Sequence, residues 1–115
     1  MKGIIKISVS VNIDPIHKNV FNKHITVIFK ADQDETADLV GKEATVKLIS
    51  HHKDEKGQAV KVEIPEWLKK LSNREPHITI SCAEGTKPMY SNDLIKSVGE
   101  PIEGEAKGVV EFQNL

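Results

Sequence analysis

The chain has 115 residues, 38% hydrophobic and 29% charged, with a formal net charge of −1. That size predicts one domain with an apolar core and no need of disulfide staples, and no apolar run nears the roughly 20 residues that a membrane helix takes. The near-zero charge excludes an overall basic field of the kind that grips long nucleic acid nonspecifically, and the single cysteine, Cys82, points to a reducing, cytoplasmic setting.

Residues 3 to 11 alternate, with Ile5, Ile7, Val9 and Val11 on one face and Ile4, Lys6, Ser8 and Ser10 on the other, the period of a half-buried strand. Lys6 and two serines interrupt the apolar residues and no small-residue cleavage site follows, so the N-terminus reads as a strand and not as a signal peptide. Asn12, Asp14 and Pro15 end it. A second β-rich run covers His24 to Phe29. The polar segment 32–42, with only Leu39 and Val40 as an apolar pair, predicts a loop or one to two helical turns.

Residues 44–50 and 58–64 are β-branched and alternating, separated by the charged stretch 51–57 whose Gly57 suits a longer hairpin loop. Pro65 opens a short helix, with Glu66 early and Lys69 and Lys70 late to complement its dipole and with Trp67, Leu68 and Leu71 as its buried side. Pro76 favours an extended Glu75 and launches a strand from His77 to Cys82. Ser91, Asn92 and Asp93 offer N-caps for a short helix through Leu94, Ile95 and Val98 that stops at Gly99. Residues 108–112 give a final strand. The fold class is therefore α+β, rich in strands with two or three short helices.

One local repeat stands out. Lys23-His24-Ile25-Thr26-Val27-Ile28 matches Pro76-His77-Ile78-Thr79-Ile80-Ser81, and both copies lie in predicted strands. Strand alternation puts His24 and Thr26 on one face with Ile25, Val27 and Phe29 on the other; the second copy sets His77 and Thr79 against Ile78, Ile80 and Cys82. If the two strands share a groove, the pairs suffice for phosphoryl transfer to water. One imidazole takes a proton from the attacking water, the other protonates the leaving oxygen, and the threonine hydroxyls hold the nonbridging oxygens. No metal, cofactor or covalent intermediate is required.

Paired His-x-Thr triplets on strands resemble the signature of the two-histidine phosphoesterase superfamily, in particular the cyclic phosphodiesterase domain of tRNA ligases and RNA-repair-like proteins. The resemblance spans roughly residues 5 to 112. It implies a strand-rich fold of two pseudosymmetric β lobes around a central cleft, with His24, Thr26, His77 and Thr79 as catalytic residues. The implied activity is opening of 2′,3′-cyclic phosphates at RNA or nucleotide ends, generally to a 2′-phosphate. Alternatives on the same fold are degradation of cyclic nucleotide or oligonucleotide messengers, and a nucleotide- or RNA-binding module without turnover. The histidine triad hydrolases are a different group, with histidines alternating within one strand, a pattern absent here.

Tyr90, Ser91 and Lys87, just beyond the second triplet, are the candidate substrate-binding residues, Tyr90 by stacking on a base and Lys87, like Arg74, by approaching a phosphate. Ser91 and Asn92 have helix capping as the plainer role, and Trp67 has the core. His51 and His52 are adjacent, so on a strand they point to opposite sides and do not chelate together. His17 reads as a surface residue, Cys82 as a buried structural thiol, and Lys23 as facing away from the groove.

Overall fold

The β-branched alternation of the sequence is realised as eight strands, β1 (Lys2–Ser8), β2 (Asn19–Val20), β3 (His24–Asp32), β4 (Glu43–Lys53), β5 (Gly57–Glu63), β6 (His77–Cys82), β7 (Glu100–Pro101) and β8 (Glu105–Asn114). Two single-turn helices, α1 (Glu66–Lys69) and α2 (Ser91–Leu94), and two 3-10 turns (Ala37–Leu39 and Pro88–Tyr90) complete the chain. The computed structural model describes all 115 residues. No helix is long and apolar enough to cross a membrane.

Six strands close on themselves in the order β3-β1-β8-β4-β5-β6 and back to β3, with every pairing antiparallel. Closure leaves no long free edge for another chain to pair with. Each ring strand sends at least one fully buried β-branched residue inward: Ile5, Ile25, Val46, Val60, Ile78 and Val110. Leu39 and Leu68 join this core from the first 3-10 turn and α1. At about 25 cal/mol per Å² of apolar surface, such a lining is the main stabilising term.

Several boundaries differ from those expected. The hairpin loop shrinks to Asp54, Glu55 and Lys56, because His51, His52 and Lys53 pair in register with Val60, Ala59 and Gln58. The final strand runs longer at both ends, and the two-residue strands β2 and β7 are too short to leave a period in the sequence. Leu71 is 46% exposed and Val98 is 99% exposed, because α1 and α2 stop after four residues. Neither helix lasts long enough to carry those residues to the core.

Phe29 also departs from strict alternation. Along β3 the register with β1 passes from Ile5↔Ile28 to Lys6↔Thr26, so Val27 is an extra residue, and Lys30, at φ 63°, is a second between Phe29 and Ala31. Such bulges bend a strand and re-aim its side chains. Val27 and Ile25 stay in the core, whereas Phe29 turns outward beside Ile4.

Two asparagines set how β3 meets β6. Asn22, at φ 41°, uses its side-chain amide to donate to Val11 O (2.7 Å) and to accept from Val11 N (3.1 Å). At this left-handed residue the chain leaves β6, where Phe21 N and Asn22 N donate to Ile80 O and Thr79 O, and crosses to begin β3. Asn73 acts similarly at the other end, accepting from Phe29 N (2.8 Å) and donating to Phe29 O (2.9 Å) where β6 has diverged. Asn22→Ala should cost about 1–3 kcal/mol and Asn73→Ala, which is exposed, about 1 kcal/mol by urea denaturation. Lys23→Ala, exposed and without a side-chain partner, should stay within about 0.5 kcal/mol. Equal stability of all three would contradict the clasp role.

Candidate active site

The two triplets are built on neighbouring strands. Ile25 of β3 pairs with Ile78 of β6 in antiparallel register. Extending that register by one residue either way sets His24 opposite Thr79 and Thr26 opposite His77, all four on the face away from the core. The result is a local two-fold arrangement, and the four side chains line one cleft of about 480 Å³. That volume lies in the range of small-ligand sites. A broader hollow of about 600 Å³ lies elsewhere, against Ile28, Trp67 and Leu71, and contains no histidine.

The remaining cleft walls come from four segments. Ile4 and Phe29 arise from β1 and β3, Phe21 from the turn after β2, and Pro88, Met89 and Asn92 from the segment ahead of and within α2. Arg74 completes the rim, its guanidinium 4.6 Å from the centroid of the Phe29 ring. The site thus joins a polar floor of two imidazoles and two hydroxyls to aromatic and apolar walls.

The surroundings of the two histidines are unequal. His77 Nδ1 donates to Glu75 O at 2.8 Å, which leaves Nε2 as the ring nitrogen free for the cleft. The His24 ring makes no hydrogen bond to protein, and Lys6, the cross-strand neighbour of Thr26, lies near it. His24 is open to solvent at the cleft mouth, yet enough of its ring rests against the walls that desolvation lowers its pKa below the ordinary 6.5, with the Lys6 and His77 charges adding to the effect. Desolvation also lowers His77, while the Glu75 carbonyl and carboxylate push the other way. Both shifts favour the neutral imidazole in the empty cleft.

Of the candidate substrate-binding residues, none lines this cleft. The Tyr90 hydroxyl donates to Asp54 Oδ2 and its ring covers Gly57, where an added Cβ would meet the ring at 3.0 Å. Its stacking surface is spent on the hairpin. Ser91 is buried at 2% exposure, with its hydroxyl 2.9 Å from Thr79 Oγ1, so it contacts the site through Thr79 and not through solvent. Lys87 is exposed ahead of the 3-10 turn and does not line the cleft. No side-chain cap forms at α2; Asn92 instead donates to Met89 O and presents itself to the cleft. Phe21, Phe29 and Met89 carry no sequence signal for the cleft. Lys6 alone had a signal, its place on the polar face of the first strand.

The other histidines and the cysteine lie apart. His51 and His52 face different hollows, His52 buried between the hydroxyls of Ser50 (2.7 Å) and Ser97 (3.5 Å). His17 is half-buried, not simply on the surface: its Nε2 donates to Asp54 O at 2.8 Å. Cys82 is buried and its thiol pKa is raised by desolvation, as suits a structural thiol. Trp67 packs against the core. No three His, Cys, Asp or Glu side chains are grouped to hold a metal ion.

Residues 10–114, nearly the whole chain and both triplets, match the family described as the fungal tRNA ligase phosphodiesterase domain. The chain belongs to that family. No curated protein matches it. Membership of the tRNA ligase phosphodiesterase family places the chain in the two-histidine phosphoesterase superfamily, and the closed strand-rich sheet with two short helices is that fold. A phosphodiesterase-type hydrolase is the coarse activity that follows.

NMR titration should find both triplet histidines below 6.5. Lys6→Met should raise the pKa of His24 and leave that of His77 where it was, and an unmoved His24 would remove Lys6 from the site. His24, His51, His52 and His77 all have folded pKa values below the unfolded 6.5. Below about pH 6.5 the unfolded chain therefore binds more protons, so stability must fall as pH drops from 6.5 through the lowered values. A urea midpoint lower at pH 5.5 than at pH 7.5 is the expected outcome.

Proposed function

We propose that this domain is a metal-independent cyclic phosphodiesterase that opens the 2′,3′-cyclic phosphate at an RNA or nucleotide end and leaves a 2′-phosphate. The observation that carries the reading is the placement of His24, Thr26, His77 and Thr79 around one cleft in a nearly two-fold array. Family membership supports the same chemistry.

The proposed reaction uses each group once. His77, its Nδ1–H held by Glu75 O, has its Nε2 lone pair set toward the cleft and takes a proton from the attacking water. The water oxygen bonds to phosphorus in line with the P–O3′ bond, which breaks. His24, free of protein acceptors, enters as imidazolium because the bound phosphate anion offsets the nearby Lys6, and it gives its proton to O3′. The Thr26 and Thr79 hydroxyls donate to the nonbridging oxygens, where charge rises in the transition state. Arg74 and Asn92 reach the same phosphate or the ribose, and Phe21, Phe29 and Met89 supply an apolar seat for the base.

His24→Ala and His77→Ala should each lower kcat on a 2′,3′-cyclic nucleotide by about 10²–10⁴-fold, with bell-shaped pH dependence and undiminished rate in a chelator for the wild type. A diester with a good leaving group such as p-nitrophenolate separates the roles: it should restore His24→Ala more than His77→Ala, since an acid is no longer needed. The opposite pattern would exchange the assignments, and retained activity of both variants on the cyclic nucleotide would sink the reading. Cyclic mononucleotides with 3′,5′ bridges and cyclic dinucleotides, assayed alongside, should turn over more slowly than the 2′,3′ ring.

A further inference from the structure

The two threonines of the site are held differently. Thr79 Oγ1 lies 2.9 Å from Ser91 Oγ, whereas Thr26 Oγ1 has no protein partner. Ser91 is 2% exposed, and Thr79 is the one hydrogen-bond partner of its hydroxyl. A buried O–H needs an acceptor. Thr79 Oγ1 is the acceptor within reach, so Ser91 is the donor of the pair. Having accepted there, Thr79 must send its own hydrogen elsewhere, and its half-buried side chain lines the cleft.

We propose that Ser91 is a positioning residue that donates to Thr79 Oγ1 and thereby aims the Thr79 O–H at a nonbridging oxygen of the bound phosphate. This role rests on the cyclic-phosphate reading above. A free hydroxyl samples three rotamers and loses that freedom on binding; one already aimed does not. The serine is itself fixed by the segment that carries it. Tyr90, immediately before it, is bound to Asp54 and laid on Gly57, while Leu94 and Ile95 pack on Ala59. The β5 end of the hairpin therefore seats α2, and α2 sets the direction of one catalytic donor. Thr26, set beside Lys6 and without such a buttress, serves as an internal control.

Ser91→Ala should lower kcat on a 2′,3′-cyclic nucleotide roughly tenfold, less than the loss of a direct donor, with KM changed by less than about twofold. Ser91→Thr, which keeps the hydroxyl, should restore most of the rate. The Thr79→Ala/Ser91→Ala double variant should match Thr79→Ala within about twofold, while Ser91→Ala combined with Thr26→Ala should show multiplied losses. Wild-type kcat in Ser91→Ala, or a further tenfold loss in the Thr79/Ser91 double variant, would overturn the role. If circular dichroism shows Ser91→Ala unfolded, the isosteric Ser91→Cys replaces it: a reduced kcat supports the role, and an unreduced one overturns it. A wild-type protein inert on every cyclic phosphate would overturn the activity itself, and this role with it.

Discussion

The pairing of Ile25 with Ile78 is the contact through which the core dictates the site. It is the one ladder pair joining β3 to β6, and both side chains are fully buried. Because strand side chains alternate, a slip of one residue would turn His24, Thr26, His77 or Thr79 inward and expose an isoleucine. The hydrophobic cost of exposing one such side chain, about 1.5–3 kcal/mol, opposes that slip before any substrate contact exists. The short seam is supported from both sides, by the backbone bonds of Phe21 and Asn22 to β6 and by the Asn73 clasp on Phe29. A longer β3–β6 ladder would have filled the space with hydrogen-bonded backbone. Divergence beyond one pair is what leaves a cleft.

Charge is distributed to the same end. The chain as a whole is slightly acidic, yet Lys6 and Arg74 are both close enough to the histidines to lower their pKa values. Each cation disfavours a second positive charge on an imidazole in the empty cleft and favours an incoming phosphate. In the proposed reaction that balance reverses on binding, since an anion between the rings favours a positive charge on one of them. A local pair of cations on a weakly acidic body suits a ligand with one or two phosphates better than a long polyanion, whose binding scales with the number of neutralised phosphates.

Much of this was legible in the sequence because it obeys period two. The strand before the first triplet, the hairpin and the strand from His77 to Cys82 all follow alternation closely enough to be placed within a few residues. Alternation also separates Ile25 from His24 and Ile78 from His77. The errors arise where the period breaks or where a short element decides. Alternation predicts Phe29 in the core because a bulge at Val27 leaves no mark in composition. Tyr90 and Lys87 were brought toward the cleft by chain proximity to the second triplet, but the 3-10 turn at Pro88–Tyr90 rotates Tyr90 onto the hairpin and turns Met89 and Asn92 to the cleft in its place. Sequence distance along a tight turn does not say which of three successive side chains faces a given wall.

The site is nearly symmetric in its residues and asymmetric in its supports, and the second property matters more for chemistry. Hydrolysis of a phosphodiester needs an acid and a base at the same moment, so two identical histidines in identical settings would compete for one state. Here the triplets differ in what stands behind them. His77 has a carbonyl on Nδ1 and Thr79 has a buried serine, while His24 and Thr26 face solvent beside a lysine. One half of the cleft is held in a fixed tautomer and hydroxyl direction, and the other adapts to the charge that arrives. The backbone carbonyl of Glu75 is suited to the fixed half because it cannot titrate: it accepts the Nδ1 hydrogen at every pH and so keeps Nε2 available in the neutral ring. A carboxylate in the same place would raise the histidine pKa further than the carbonyl does and favour the imidazolium. A proline at 76 favours an extended Glu75, the residue whose carbonyl accepts from His77 Nδ1, so the stretch between the clasp and the triplet bears on the ring's orientation.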